Sequence, residues 1–340
     1  MYDLDHILLT IALATYMPLE NGRLSNDQPE EVMMYKYVLE RLQPLLSPLG
    51  NGILERFKDY QSLKSKATLA RKVLRAAGAH AREWEFRLLE QANPDGYEIQ
   101  QIRQTMRNVQ GVHTLRGCSE LHRCKKYKDF VDVCGELRYQ GRWSHLHMSP
   151  RTSVLGHSMF VAVVSYLFSI EAGACERQQV NNFFLGLFHD LEETQTRDVR
   201  SPLKKAVPVI ADTLKEISRD MMEREVVRLL PPSWHDQFRR FSLTEPGQDS
   251  IRINNALVHV PDEDQEKLFG EYNSDAFDPM SGALVKAADH LSAYLESVQA
   301  FRNGSGSPEI HAARYFIAKD YERKTMGHLD LGLLYRELSA

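Results

Sequence analysis

A chain of 340 residues with 43% hydrophobic content is long enough for one large domain or two packed units around a sizeable core. Its 42 Lys and Arg against 46 Asp and Glu give a net charge of −4 with no basic half, which argues against a nucleic-acid scaffold. Only 19 glycines and 14 prolines exclude a collagen-like or broadly disordered chain.

Helical periodicity dominates and no hairpin signal stands out, so the chain reads as all-α. The start, Met1-Tyr2-Asp3-Leu4-Asp5-His6, is acidic rather than the basic lead of a secretory signal, and Leu4 to Tyr16 reads as a short apolar helix. Asp27-Gln28-Pro29-Glu30 resembles a helix start, and that helix runs to about Leu46, where Pro48-Leu49-Gly50 stops it. Ala67 to Ala92 is a long helix ended by Asn93-Pro94-Asp95-Gly96, and Glu98 to Val109 follows. Residues 1–135 hold mixed-charge faces and no catalytic signature, and are taken as a helical accessory region of unknown role. The cysteines Cys118, Cys124, Cys134 and Cys175 form no CxxC pair. Cys118 and Cys124 flank His122, but their spacing is not a standard zinc spacing and a fourth ligand is missing.

From Ser153 the character changes. Ser153 to Glu171 is a strongly apolar helix with His157 near its start, and its longest apolar stretch, Met159 to Ile170, is too short to span a bilayer. Gln178 to Glu193 is a second helix that delivers His189-Asp190 at its far end. Pro208 to Leu230 is amphipathic, Ser281 to Ala300 carries Asp289 in its middle, and His311 to Tyr321 is helical. With no secretory signal or spanning segment, the expected compartment is the cytoplasm. A homo-oligomer is left open.

Burying charge in apolar helices is costly unless the charge is paired or metal-bound. His157, His189, Asp190 and Asp289 pose that problem on three helices, and their convergence at a bundle centre would make a mixed nitrogen and oxygen metal site. The set suits a divalent ion (Mn²⁺, Co²⁺, Ni²⁺, Fe²⁺, Zn²⁺ or Mg²⁺), and sequence does not choose among them. Glu193 follows His189 by four residues, so on a continuing helix it lies one turn away on the same face, placed for general acid/base work. Asp198 lies in the polar stretch Thr194-Gln195-Thr196-Arg197-Asp198-Val199-Arg200-Ser201-Pro202, which suits the border of a substrate pocket. His235-Asp236 is a second His-Asp dipeptide, but no apolar helix leads into it from Pro231-Pro232-Ser233-Trp234, which fits a capping or surface role.

The order His157, His189-Asp190, Asp289 resembles the H…HD…D order of the HD phosphohydrolase superfamily. The run from His189 through Glu193, Arg197-Asp198 and Pro202-Leu203-Lys204 looks like the YfbR-like 5′-deoxynucleotidase branch, which also carries an Arg-Trp pair where Arg142-Trp143 stands. The resemblance implies an HD-domain helical bundle, set at residues 136–303; the N-terminal helical region, which the compact nucleotidases lack, and a C-terminal helical tail at 304–340 flank it. It implies metal ligation by His157, His189, Asp190 and Asp289, catalytic assistance by Glu193, and substrate binding by Arg142, Trp143 and Asp198. Arg142 would hold the phosphate, Trp143 would pack against the sugar, and Asp198 would accept from the sugar or orient water. The implied reaction is metal-dependent cleavage of a phosphate monoester, most concretely a (deoxy)nucleoside 5′-monophosphate. Two other readings remain open: a nucleotide-sensing regulatory protein, and a phosphodiesterase or alarmone-type hydrolase. Thr194 replaces the Asp that alarmone hydrolases carry after the Glu, and the Gly-Tyr-Pro of the cyclic dinucleotide branch is absent.

Overall fold

The computed structural model describes residues 29–48, 52–61, 69–107, 115–196, 208–244 and 247–339. The helix expected at Leu4 to Tyr16 and the residue Asp198 lie outside these. The chain divides into two compact units, 1–125 and 126–340.

In the first unit the helices are α1 (Pro29–Leu46), α2 (Ile53–Gln61), α3 (Leu69–Ala92), α4 (Ile99–Arg107) and α5 (Arg116–Arg123). Their buried apolar positions include Val38, Ile53, Phe57, Ala76 and Phe86. Asn93-Pro94-Asp95-Gly96 ends α3 as the sequence predicts, with Gly96 N–H bonded to Asn93 O.

The second unit opens with α6 (Lys125–Glu136) and continues with α7 (Val154–Glu171) and α8 (Glu176–Phe188). Further along come α9 (Pro208–Met221), α10 (His235–Ser242), α11 (Gly282–Arg302), α12 (Pro308–Tyr321) and α13 (Leu331–Ser339). Helix α9 stops at Met221, and the expected run to Leu230 proceeds through a π turn and a short 3₁₀ turn instead. At its core, Val161 and Phe168 of α7 and Leu185 of α8 pack with Leu284, Val285, Ala287, Ala288 and Leu291 of α11. Tyr321, Leu331 and Tyr335 of the C-terminal segment close the same core.

At 18 residues α7 is long and apolar enough to cross a membrane by composition alone, more so than the stretch picked out in the sequence. Over half of it is buried within the fold, and that burial takes in His157, Ser158, Ser165 and Ser169, which marks a core helix.

A hairpin is present: β1 (Asp249–Ile253) pairs antiparallel with β2 (Ala256–Val260), and β1 also pairs with β3 (Met280–Ser281). Its two-residue turn is Asn254-Asn255, both at positive φ, 51° and 66°. Asparagine tolerates the left-handed region that a primed turn needs, so the turn forms without the more recognisable Asn-Gly.

Candidate metal centre and active site

Helix ends and small residues set the site's position. Ser153 caps α7 by accepting from Gly156 N at 3.1 Å, which places His157 in the first turn, fully buried. On α8, Asn182 donates to Ser169 Oγ of α7 at 2.9 Å and accepts from Ser281 N, the cap of α11, at 2.8 Å. Asp249 accepts from Ala283 N at 3.0 Å and from Ser281 Oγ at 3.1 Å, fixing the start of α11 and with it Asp289. A Cβ on Gly186 would lie 3.0 Å from both N and Cα of Ala162, so only glycine lets α7 and α8 cross this closely. The crossing brings the His157 and His189 rings to a centroid separation of 5.3 Å.

The four expected ligands meet at one point. His157 Nε2 lies 3.1 Å from Asp289 Oδ1 and 3.5 Å from Asp190 Oδ2, and His189 Nε2 lies 3.2 Å from Asp190 Oδ2. Both Nε2 atoms are buried, yet neither makes a well-directed hydrogen bond. Their other ring nitrogens are held: His189 Nδ1 donates to Gly186 O at 2.8 Å, and His157 Nδ1 faces Ser292 Oγ at 3.0 Å. A ring that donates from Nδ1 keeps the Nε2 lone pair of the neutral imidazole turned toward the carboxylates, the arrangement of metal-binding histidines. Ligand atoms of His157, His189 and Asp289 all fall within 4.8 Å of one another. Two inward-facing imidazole nitrogens with no other partner, beside two carboxylates, fit a divalent cation.

The electrostatics agree. Burial opposes a positive charge on His189, but Asp190, Asp289 and the Gly186 carbonyl outweigh it and push its pKa up to about 9. Burial likewise opposes the charge on Asp190 and Asp289, yet the two histidines hold both carboxyls below the usual range, with Arg142 adding to the effect on Asp289. The pocket is thus tuned for positive charge, and binding a cation there means that His189 releases its proton.

The sequence model of the HD domain matches residues 134–314, more than half of the chain. This chain belongs to the HD domain family. The matched stretch contains all four of the residues just described. A 5′-deoxynucleotidase of Shewanella oneidensis is 26% identical over 178 residues, 51% of this chain and 73% of the relative. One from Vibrio cholerae is 24% identical over 169 residues, 48% of this chain and 70% of the relative. Among solved structures, an HD-domain phosphohydrolase of Listeria innocua gives a TM-score of 0.45 at 17% identity, over 62% of this chain and 87% of that one.

Around the HD residues, the segment 140–142 pairs with 152–154: Arg142 N donates to Thr152 O at 2.9 Å and Val154 N to Gln140 O at 2.9 Å. This pairing brings Arg142 beside the start of α7. Its guanidinium lies 3.3 Å from Glu296, 3.7 Å from Asp190 and 3.9 Å from Asp289. Burial opposes the Arg142 charge, but the three carboxylates raise its pKa further above its ordinary value.

Trp143 sits at φ 55°, a strained backbone for a bulky residue. Its Nε1 donates to Glu296 Oε2 at 2.7 Å, and its ring packs with Met148, Ala300 and Ile310. Glu296 was not singled out in the sequence, although it lies seven residues after Asp289 on α11 and so two turns along the same face. It joins Arg142 and Trp143 to α11.

Glu193 does not continue α8. That helix ends at Phe188, with His189 as its cap, and Glu193 begins a separate turn, Glu193–Thr196. The His189 side chain takes up the Gly186 carbonyl and tighter i→i+3 bonds follow, including Leu191 N to Phe188 O and Glu193 N to Asp190 O. Gln140 Nε2 donates to Glu193 O at 3.0 Å, so the Glu193 turn is tied to the Arg142 segment. The second dipeptide plays no part: His235 Nε2 donates to Leu230 O, and the exposed Asp236 accepts from Arg252 at 2.6 Å.

Proposed function

We propose that this chain is a metal-dependent phosphohydrolase that cleaves the phosphate monoester of a (deoxy)nucleoside 5′-monophosphate. The observation that carries the reading is the buried cluster of His157, His189, Asp190 and Asp289, with both Nε2 atoms turned toward carboxylate oxygens and Arg142 alongside. Its relatives named 5′-deoxynucleotidase support the substrate class.

His157, His189, Asp190 and Asp289 would hold a divalent ion, which would supply positive charge to the phosphoryl group and to the attacking water. Ser292 and Gly186 keep the two imidazoles in register for it. Arg142 offers its N–H donors to the phosphate oxygens, replacing its long contacts with Asp190 and Asp289 by the charge of the substrate. As water adds to phosphorus the bond to the 5′ oxygen breaks, and Glu193 takes a proton from the water and passes it to that oxygen. The products are a nucleoside and inorganic phosphate. Trp143, which neighbours Arg142, would border the sugar.

The test is phosphate release from a panel of nucleoside 5′- and 3′-monophosphates, ribose and deoxyribose, with metal supplied. Release strongest from the deoxynucleoside 5′-monophosphates is expected. Release confined to the 3′-monophosphates, or none from any member of the panel, would overturn the substrate assignment.

A further inference from the structure

The N-terminal unit holds a side-chain cluster that the proposed reaction does not use. His80 and Glu83 lie one turn apart on α3, and His122 lies in the last turn of α5. Ligand atoms from the three all fall within 4.8 Å of one another. The two imidazoles face each other at a centroid separation of 4.8 Å and a tilt of 59°, and His80 Nδ1 is 3.7 Å from Glu83 Oε2. The His80 side chain is only 14% exposed, while that of Glu83 is 61% exposed.

We propose that His80, Glu83 and His122 form a second divalent-cation site, of the zinc type, that ties α3 to α5. Two imidazole nitrogens and one carboxylate oxygen are the donor set of an open zinc site, with a fourth position left for water. Ligand bonds of about 2.0–2.2 Å put two donors at most roughly 4 Å apart. The ligand atoms, within 4.8 Å of one another, would be drawn together by about an ångström on binding. The i,i+3 spacing of His80 and Glu83 delivers two ligands from one helix turn, as in metal-binding bundles. His122 arrives from a helix beyond α4, so the cation cross-links segments that sequence alone keeps apart. Cys118 and Cys124, which flank His122, are not members of the cluster.

The test uses the full chain carrying His189→Ala and Asp190→Ala, so that the HD centre no longer binds metal. Equilibrium dialysis against Zn²⁺ followed by elemental analysis is expected to give one zinc per chain, and none once His80→Ala and His122→Ala are added. Absence of zinc in the first protein, or its retention in the second, overturns the proposal. Because the alanine pair could disturb the unit's packing, Glu83→Gln in the same background is the second arm. An exposed, nearly isosteric change should leave circular dichroism unaltered and weaken zinc affinity at least tenfold. Unchanged affinity overturns the three-ligand assignment.

Discussion

Glu296→Ala removes the carboxylate that joins Arg142 and Trp143 to α11. The side chain is 10% exposed, accepts from Trp143 Nε1 at 2.7 Å and lies 3.3 Å from Arg142 Nε. A lost hydrogen bond to a buried charged group costs about 1.5–3 kcal/mol. Two are lost here, but Arg142 retains Asp190 at 3.7 Å and Asp289 at 3.9 Å and relaxes toward them, which offsets part of the loss. A net cost of about 1.5–3 kcal/mol lowers kcat/KM by roughly 10–100-fold. A displaced Arg142 weakens substrate and transition state alike, so most of the change should appear in KM. Glu296→Gln keeps an acceptor for Trp143 but not the charge facing Arg142, and should fall between the two. The assay is steady-state phosphate release from metal-restored protein, with metal content measured in parallel and expected to match the parent. An unchanged KM in Glu296→Ala at full metal content would refute the positioning role.

Further predictions follow from neighbouring contacts. Ser292→Ala deprives His157 Nδ1 of its partner and should weaken metal affinity by about 10–100-fold, read by chelator competition; parent-like affinity would remove Ser292 from the account. Gly186→Ala forces a Cβ against the Ala162 backbone and should cost about 1–3 kcal/mol in urea denaturation, whereas parent stability would show that α7 and α8 separate freely. Burial pushes the Asp249 carboxyl up to about 6, above the ordinary carboxylate value near ~4. Its folded form thus binds the proton more tightly. That contribution to stability is complete below pH ~4 and is lost, to the extent of about 2–3 kcal/mol, as pH rises through 6. Asp249→Asn does not titrate, so its stability relative to the parent should improve between pH ~4 and ~7; a constant difference across that range would contradict the assignment.

The candidate metal ligands were legible as a group because the cost of burying them is local. An imidazole or a carboxylate inside an apolar helix must find a charge partner or a metal, and His157, His189, Asp190 and Asp289 each carry that signal within their own flanks. Glu296, near the far end of the same helix, reads as one more polar residue beside Ser297, and only its pairing with Trp143, far away in sequence, gives it a role. The end of α8 at Phe188 depends on His189 reaching back to Gly186, a side-chain to backbone competition that periodicity does not register. The β1–β2 hairpin escaped notice because each strand has five residues and the turn lacks glycine. His80, Glu83 and His122 were invisible as a group because the pairing of α3 with α5 is tertiary. Helical content, by contrast, follows from a periodicity repeated along most of the chain.

The central claim is that four side chains gather one divalent cation on which phosphate release depends. Release from a deoxynucleoside 5′-monophosphate should be measured for metal-stripped and Mn²⁺-restored protein, in the parent and in Asp190→Ala. The account predicts release only from the restored parent. Equal release without metal, or undiminished release from Asp190→Ala, would contradict it.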